Sequence, residues 1–201
     1  LTLSPLDFRL PELCNQLKVP LVATFHPAFD SKIRNLTAST QQLTYQLYAP
    51  SLAKFDKVIV FSIAQQELLE KLGVDKNIQV VIPNGVNQDL WKPSTSHNKK
   101  HKFIKSKIGN ERFFLFMGRV SSEKNLEALL KAWRQSKTMN CKLLIVGDGP
   151  MKPTLENNFS DLGKEDLIWW GEECDLETRV AIMQIAEVFL LPSLVEGLSI
   201  A

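Results

Sequence analysis

A length of 201 residues allows one or two small domains that each bury a hydrophobic core, and 44% apolar with 23% charged residues is ordinary for a globular protein. The net charge of +2 depends on five lysines between His97 and Lys107, so the basicity is local and does not indicate a nucleic-acid-binding face. No apolar stretch approaches the ~18 residues of a membrane span.

The three cysteines, Cys14, Cys141 and Cys174, are far apart and form no CxxC pair. This spacing supports neither a disulfide framework nor a zinc site. We interpret them as ordinary reduced thiols and expect a cytoplasmic protein.

The first part of the chain alternates helical and strand patterns up to a turn at Pro83-Asn84-Gly85. Ser62 is predicted to cap the last helix of this part and Gly73 to end it. The predicted elements are a helix over 5–17, a strand over 19–25, a polar helix over 33–53, a strand over 57–61, a helix over 63–72 and a strand over 79–82.

Residues 89–111 are polar and rich in lysine, and we predict a solvated linker there. Strands are then predicted over 113–117, 142–146, 167–170 and 187–191, and helices over 122–134, 151–162 and 176–186. This alternation is typical of right-handed βαβ units and parallel sheets. The sequence therefore predicts an α/β fold with two partial Rossmann-like, doubly wound domains, one over 1–88 and one over 112–201, joined by the linker.

The turn after strand 113–117 has the residues of an anion site. Gly118 lets the backbone turn and a ligand come close. Arg119 and Lys124 flank the start of the next helix, whose N-terminus offers free N–H groups and the positive end of a dipole. A guanidinium and an ammonium at a helix start suit a diphosphate. An isolated pair of this spacing is usually a solvated helix start, but the preceding strand and glycine favour the anion site.

Three other strand ends carry candidate residues. Glu196 supplies a carboxylate that can hold sugar hydroxyls, so the diphosphate site and Glu196 together suggest a nucleotide sugar. His26 lies at the end of the first strand, which favours a functional over a structural histidine. For the turn over 147–150, turn chemistry and ligand binding are equally good interpretations.

In this order, the motifs resemble the retaining glycosyltransferases of family 4, which have the GT-B fold of two Rossmann-like domains facing across a cleft. No single motif is specific, whereas the combination at these spacings is. The resembling stretches are 22–26, 81–87, 117–124, 144–150 and 191–201.

The resemblance implies that Arg119 and Lys124 bind the donor's diphosphate and neutralise the departing nucleoside diphosphate. Glu196 matches the first glutamate of the family's pair and would contact the donor sugar. The other implied site residues are Gly118, Gly197, Leu198 and Ser199 at the sugar or phosphate, Gly171 and Glu172 at the nucleobase, and His26 on the acceptor side.

The implied reaction moves a sugar from a UDP- or GDP-sugar to a glycan, lipid or small-molecule acceptor with retention of anomeric configuration. Retention is commonly discussed as attack on the same face, with the leaving phosphate taking the acceptor's proton. Arginine and lysine replace a metal in many such enzymes, and the sequence has no Asp-x-Asp triplet, so no metal or cofactor is expected.

The chain departs from the family pattern at several positions. Asn125 and Asn87 stand where the family usually has glycine and aspartate. The second glutamate of the pair would fall three residues beyond Ala201, and the family's N-terminal glycine-rich loop is absent. We therefore expect the chain to be a fragment that lacks full activity.

Two alternatives to a transferase stay open: a non-catalytic nucleotide-sugar-binding protein, and another GT-B enzyme such as a nucleotide-sugar epimerase. A phosphorylase would need a pyridoxal-phosphate lysine, which we cannot locate, and a dehydrogenase would need a glycine-rich fingerprint after its first strand. The lysine run is interpreted as a solvated linker, although weak contact with anionic lipid would be permitted.

Overall fold

The computed structural model describes residues 5–26, 46–94, 98–136, 140–194 and 199. These residues group into two compact units, which divide between Gly85 and Val86, and Ser199 groups with the first unit. Within the described helices, no segment is long and apolar enough to cross a membrane.

The first unit contains a three-stranded parallel sheet with strand order β1-β2-β3. Its elements are α1 (Pro5–Leu17), β1 (Val22–Thr24), a helical segment over 46–52, β2 (Lys57–Val60), α2 (Ile63–Lys71), a 3-10 turn (Lys76–Ile78) and β3 (Gln79–Val81). Its core packs strand residues against both helical segments that follow β1 and β2, and includes Ala23, Tyr48, Leu52, Val58, Val60 and Leu69.

Local sequence explains where α2 begins and ends. The Ser62 hydroxyl accepts a hydrogen bond from the Gln65 N–H at 3.2 Å, and the Gln65 side chain accepts one from the Phe61 N–H at 2.8 Å. These bonds satisfy N–H groups that the first helical turn leaves without partners. Gly73 follows the C-cap residue with a φ of +92°. The predicted cap and stop are both confirmed.

The second unit contains a four-stranded parallel sheet with strand order β6-β5-β4-β7. Its elements are α3 (Lys99–Ile108), β4 (Arg112–Met117), a 3-10 turn (Ser122–Lys124), α4 (Leu126–Gln135), β5 (Cys141–Val146), α5 (Lys152–Asn158), β6 (Leu167–Gly171), α6 (Leu176–Ile185) and β7 (Val188–Phe189).

Helices cover both faces of this second sheet. Because side chains alternate along a strand, Phe116 of β4 packs on one face and Leu115 on the other. The Phe116 face is covered by α4 and α5, and the Leu115 face by α3 and α6. The prediction of an α/β fold with parallel sheets is therefore confirmed, and the second unit shows both faces of the sheet covered by helices.

The prediction of a solvated linker over 89–111 is wrong for α3. Asn98 caps this helix by accepting a hydrogen bond from the His101 N–H at 2.9 Å. His101, Ile104 and Ile108 are buried, and the two isoleucines belong to the core on the Leu115 face. Their i, i+3, i+7 spacing is a helical stripe, which the high lysine content of the segment obscured.

Candidate functional site at the carboxyl edge of the second sheet

The strand order of the second sheet reverses next to β4. From β4 the chain moves outward to β5 and β6, and then returns to pair β7 on the other side of β4. In open α/β sheets, ligands bind outside the carboxyl ends of the strands at such a reversal. Residues 118–125 follow β4 and residues 190–194 follow β7, so both segments leave the sheet at this point.

The backbone after β4 is tied to the turn after β5. The Gly118 N–H donates to the Val146 carbonyl at 2.9 Å, and the Val120 N–H donates to the Asp148 carbonyl at 2.8 Å. The Met151 N–H in turn donates to the Val120 carbonyl at 3.0 Å. Arg119 therefore lies on a backbone held at both of its neighbours.

The glycines of the turn after β5 make this contact possible. Gly147 and Gly149 have φ angles of +138° and +159°. A Cβ atom at Gly147 would lie 1.9 Å from the Gly118 carbonyl oxygen, and one at Gly149 would lie 2.4 Å from the Val120 carbonyl oxygen. Close approach of two backbones accounts for both glycines, so turn chemistry is the better interpretation of this segment.

The two predicted cations have different surroundings. Arg119 is exposed, and the described part of the chain offers its guanidinium no hydrogen bond or ion pair. Lys124 is half-buried at the end of the 3-10 turn. Inside that loop, the buried Ser121 hydroxyl donates to the Glu123 carboxylate at 2.5 Å. The Ser121–Glu123 pair stabilises the loop, and Arg119 is left available to an anion.

The predicted single helix over 122–134 is two pieces separated by Asn125. Asn125 has a φ of +54°, a left-handed conformation, and α4 begins one residue later without a side-chain cap. Asparagine tolerates this conformation better than most residues other than glycine. The conformation gives a physical reason for the glycine that the family usually has here, and sequence periodicity could not reveal it.

The loop after β4 is also bonded to the segment after β7. The Asn125 side-chain amide donates to the Pro192 carbonyl at 3.3 Å, and the Leu194 N–H donates to the Glu123 carbonyl at 2.9 Å. Leu194 is two residues before Glu196. Glu196, Gly197 and Leu198 lie outside the described residues, and Ser199 is half-buried and described without its neighbours, so their roles stay predictions.

The segment after β6 carries the predicted nucleobase residues. Gly171 has a φ of +90°, its carbonyl accepts the Gly147 N–H at 2.6 Å, and Glu172 is exposed. Glu173, which the sequence did not single out, anchors this segment: its carboxylate accepts the Trp170 indole N–H at 3.0 Å and the Asp175 N–H at 2.9 Å.

Asp175, the N-cap residue of α6, follows this segment and forms an ion pair with Lys100. Its carboxylate accepts hydrogen bonds from the Lys100 ammonium at 2.5 Å and from both the N–H and the hydroxyl of Thr178. The Lys100 bond and the Thr178 bonds lower the pKa of Asp175 to about 2, and the same pair raises the pKa of Lys100. Aspartate is among the residues that helix N-caps prefer, so residue type alone could have located this cap.

The structure brings Gly118, Arg119, Lys124 and the Gly171 backbone to one sheet edge, and these four belong to the second unit. His26 belongs to the first unit, where it follows β1, is exposed, and lies with its ring centroid 4.7 Å from that of Phe61. Its acceptor-side role stays a prediction. Among the described residues, no group of three His, Cys, Asp or Glu side chains could hold a metal ion.

Comparisons with known protein families match almost the whole chain. The family described as Glycosyl transferases group 1 matches residues 97–201, and Glycosyltransferase Family 4 matches residues 3–90. The first match begins just before α3, in agreement with the place of this helix in the second unit.

Curated relatives include alpha-monoglucosyldiacylglycerol synthase of Streptococcus pneumoniae, 26% identical over 84% of this chain and 40% of its own. Another is UDP-Gal:alpha-D-GlcNAc-diphosphoundecaprenol alpha-1,3-galactosyltransferase of Escherichia coli, 30% identical over 66% of this chain and 35% of its own. The chain thus spans well under half the length of these two relatives.

Solved structures with the same fold include HepE of Anabaena, with a TM-score of 0.72 at 18% identity over 95% of this chain and 51% of that one. Sucrose-phosphate synthase of Thermosynechococcus elongatus matches with a TM-score of 0.70 at 23% identity over 94% of this chain and 49% of that one. These structures are GT-B glycosyltransferases, which confirms the predicted fold class. Since one family covers more than half of its residues, the chain belongs to the Glycosyl transferases group 1 family, of the family 4 type.

Proposed function

We propose that the protein to which this chain belongs transfers a sugar from a nucleoside-diphosphate sugar to a glycan, lipid or small-molecule acceptor, with retention of anomeric configuration. The observation that carries the proposal is the exposed Arg119 guanidinium on a fixed loop at the strand-order reversal of the second sheet. Family membership supports the reaction class.

The positive charges of Arg119 and Lys124 would stabilise the nucleoside diphosphate that leaves. Cleavage of the anomeric bond leaves negative charge on the diphosphate, and fixed cations that meet this charge are usually the largest single contribution to such a reaction. Arg119 would donate two parallel hydrogen bonds to phosphate oxygens, and Lys124 would add a second positive charge. A loop held by backbone bonds loses little entropy when the phosphate binds.

The other proposed roles belong to residues that follow β7, β6 and β1. Glu196 would contact the donor sugar, with backbone amides of Gly197, Leu198 and Ser199 facing the sugar or phosphate. The bonds from residues 192 and 194 to the loop after β4 support this, because they hold the chain beside Lys124 two residues before Glu196. The backbone of Gly171 and Glu172 would hold the nucleobase, and His26 would act on the acceptor side.

UDP is the first nucleotide to test. HepE is described in complex with UDP and with UDP-glucose, and the E. coli relative is named for a UDP-Gal donor. The names of the S. pneumoniae and E. coli relatives specify a lipid product and a lipid-linked acceptor, so a lipid is the first acceptor to test. We also propose that transfer needs no added metal, so activity should persist in a chelator, and that it takes place in the cytoplasm.

The test measures UDP binding to the chain by calorimetry, and sugar transfer by the full-length protein with a panel of nucleotide sugars. Arg119→Ala and Lys124→Ala should each weaken UDP binding at least about tenfold, the usual scale for a charge-assisted bond. Lys164→Ala is the matched control, since Lys164 is exposed just before the amino end of β6.

Equal UDP affinity in all three variants would refute the diphosphate role. UDP binding that depends on Arg119, without transfer to any acceptor by the full-length protein, would favour the nucleotide-sugar-binding alternative. Conversion of the sugar without an acceptor would favour the epimerase.

A further inference from the structure

Helix α3 presents a solvent face of lysines around one aromatic ring. His101, Ile104 and Ile108 point into the second unit, and His101 contacts the Gln184 side chain of α6 at 3.0 Å. At 100° per residue, the opposite face consists of exposed residues, namely Lys99, Lys102, Phe103, Ser106 and Lys107.

The positive charge of this face is not compensated. Among the described residues, no carboxylate pairs with Lys99 or Lys102, and the Lys107 ammonium lies over the Phe103 ring at 5.6 Å. Acidic groups lie at the α6 flank, where Asp175 holds Lys100 with Glu173 and Glu177 nearby.

Several other exposed cations of the second unit are paired with carboxylates. Arg112 bonds to Glu187 at 2.5 Å, Lys131 bonds to Glu127 at 2.7 Å, and Arg134 pairs with Asp161. By contrast, Lys99, Lys102 and Lys107 lie together on one face of α3, and no carboxylate among the described residues forms an ion pair with them.

The exposed Phe103 ring favours a lipid surface over a nucleic acid as the anionic partner of this face. Phe103 is 45% exposed between the lysines, and its ring makes a T-shaped contact with Trp170 at a centroid distance of 6.4 Å. An exposed aromatic ring between lysines fits a lipid headgroup boundary, where the ring enters and the ammonium groups stay in water. A nucleic acid needs a broader basic surface than one helix about 15 Å long.

We propose that the exposed face of α3 docks the chain on an anionic lipid surface. The lysines contact lipid phosphates and carboxylates, and Phe103 enters the headgroup boundary. Docking does not require the donor chemistry proposed above, so it is tested separately.

The experiment is cosedimentation of the whole chain with vesicles of phosphatidylcholine alone and with phosphatidylserine added. Binding should require phosphatidylserine and weaken with salt. The triple variant Lys99→Gln/Lys102→Gln/Lys107→Gln should lose about a hundredfold in partition coefficient, about fivefold for each lysine near the surface. Phe103→Ser should lose about tenfold, because part of a Phe side chain is no longer buried.

The matched control is Lys54→Gln/Lys71→Gln/Lys76→Gln, which removes the same charge from exposed lysines of the first unit. This control should bind vesicles like the unaltered chain, and circular dichroism should show all variants folded. An equal loss in the control would refute the proposal, because it would show general charge attraction. Equal binding to pure phosphatidylcholine, no binding to either vesicle, or displacement by an equimolar oligonucleotide would refute it as well.

Discussion

The two parallel sheets differ in what their carboxyl edges do with polar residues. In the first unit, the Ser62 hydroxyl after β2 is used to cap α2. In the second unit, the loop after β4 is held by backbone bonds and by the Ser121–Glu123 pair. The Arg119 side chain forms no hydrogen bond or ion pair with the described residues. Ser62 is thus used in local structure, whereas Arg119 is left available to a ligand because other groups stabilise its loop.

Replacing a glycine by alanine should show the largest difference in stability between the carboxyl edges of the two sheets. Gly147→Ala should lower the free energy of unfolding by about 3 kcal/mol, because its Cβ would meet the Gly118 carbonyl and its φ is positive. Gly85→Ala, after β3, should change it by less than about 0.5 kcal/mol, since a Cβ there has nothing within 4 Å. Urea unfolding followed by circular dichroism measures both, and equal effects would contradict the tight contact after β5.

Asn125 tests whether conformation or hydrogen bonding holds the loop after β4. Asn125→Ala should destabilise the second unit by about 2 kcal/mol, because it loses both the tolerance of positive φ and the bond to Pro192. Asn125→Gly keeps the conformation and should cost about 1 kcal/mol or less. All four tryptophans lie in the second unit, so tryptophan fluorescence reports its unfolding. If glycine were as harmful as alanine, conformation would not be the cause.

The helix cap of the first edge gives a smaller effect. Ser62→Ala should lower stability by about 1 kcal/mol, the usual cost of a lost N-cap. Ser62→Asn should retain most of the stability that the cap provides, since an asparagine side chain can also accept a hydrogen bond from an N–H of the first turn. A neutral Ser62→Ala, measured in urea by far-ultraviolet circular dichroism, would show that the hydroxyl is free after all.

The smallest effect is a pH dependence at the second edge. The pKa of Asp175 is lowered from 3.8 to about 2, chiefly by Lys100, so the folded state favours its charged form. The resulting stability is present above about pH 4 and is lost as pH falls toward 2. Asp175→Asn should reduce the loss of folding stability between pH 4 and pH 2, because asparagine does not titrate. An unchanged slope of stability against pH between 4 and 2 would contradict the pairing.

Prediction from the sequence succeeded where one local pattern decides the structure. The apolar runs of β4 and β5 were located to within one residue at either end, and the cap at Ser62 and stop at Gly73 were found from residue type alone. It failed at α3, where a helical stripe was hidden among lysines, and at Asn125, whose left-handed backbone divides the predicted helix. The signals of α3 are local but obscured by its lysines, whereas the loop at Asn125 is also bonded to the distant Pro192.

The sequence by itself determined the alternation of strands and helices, the family, and Arg119 and Lys124 as the candidate cations. These follow from local spacing and residue chemistry, which neighbouring residues are sufficient to express. Only the tertiary structure decided that strand order reverses beside β4, that Gly147 and Gly149 support the Arg119 loop, and that residues 192 and 194 are bonded to that loop. The physical reason is that backbone bonds between segments dozens of residues apart leave no periodic trace in either segment.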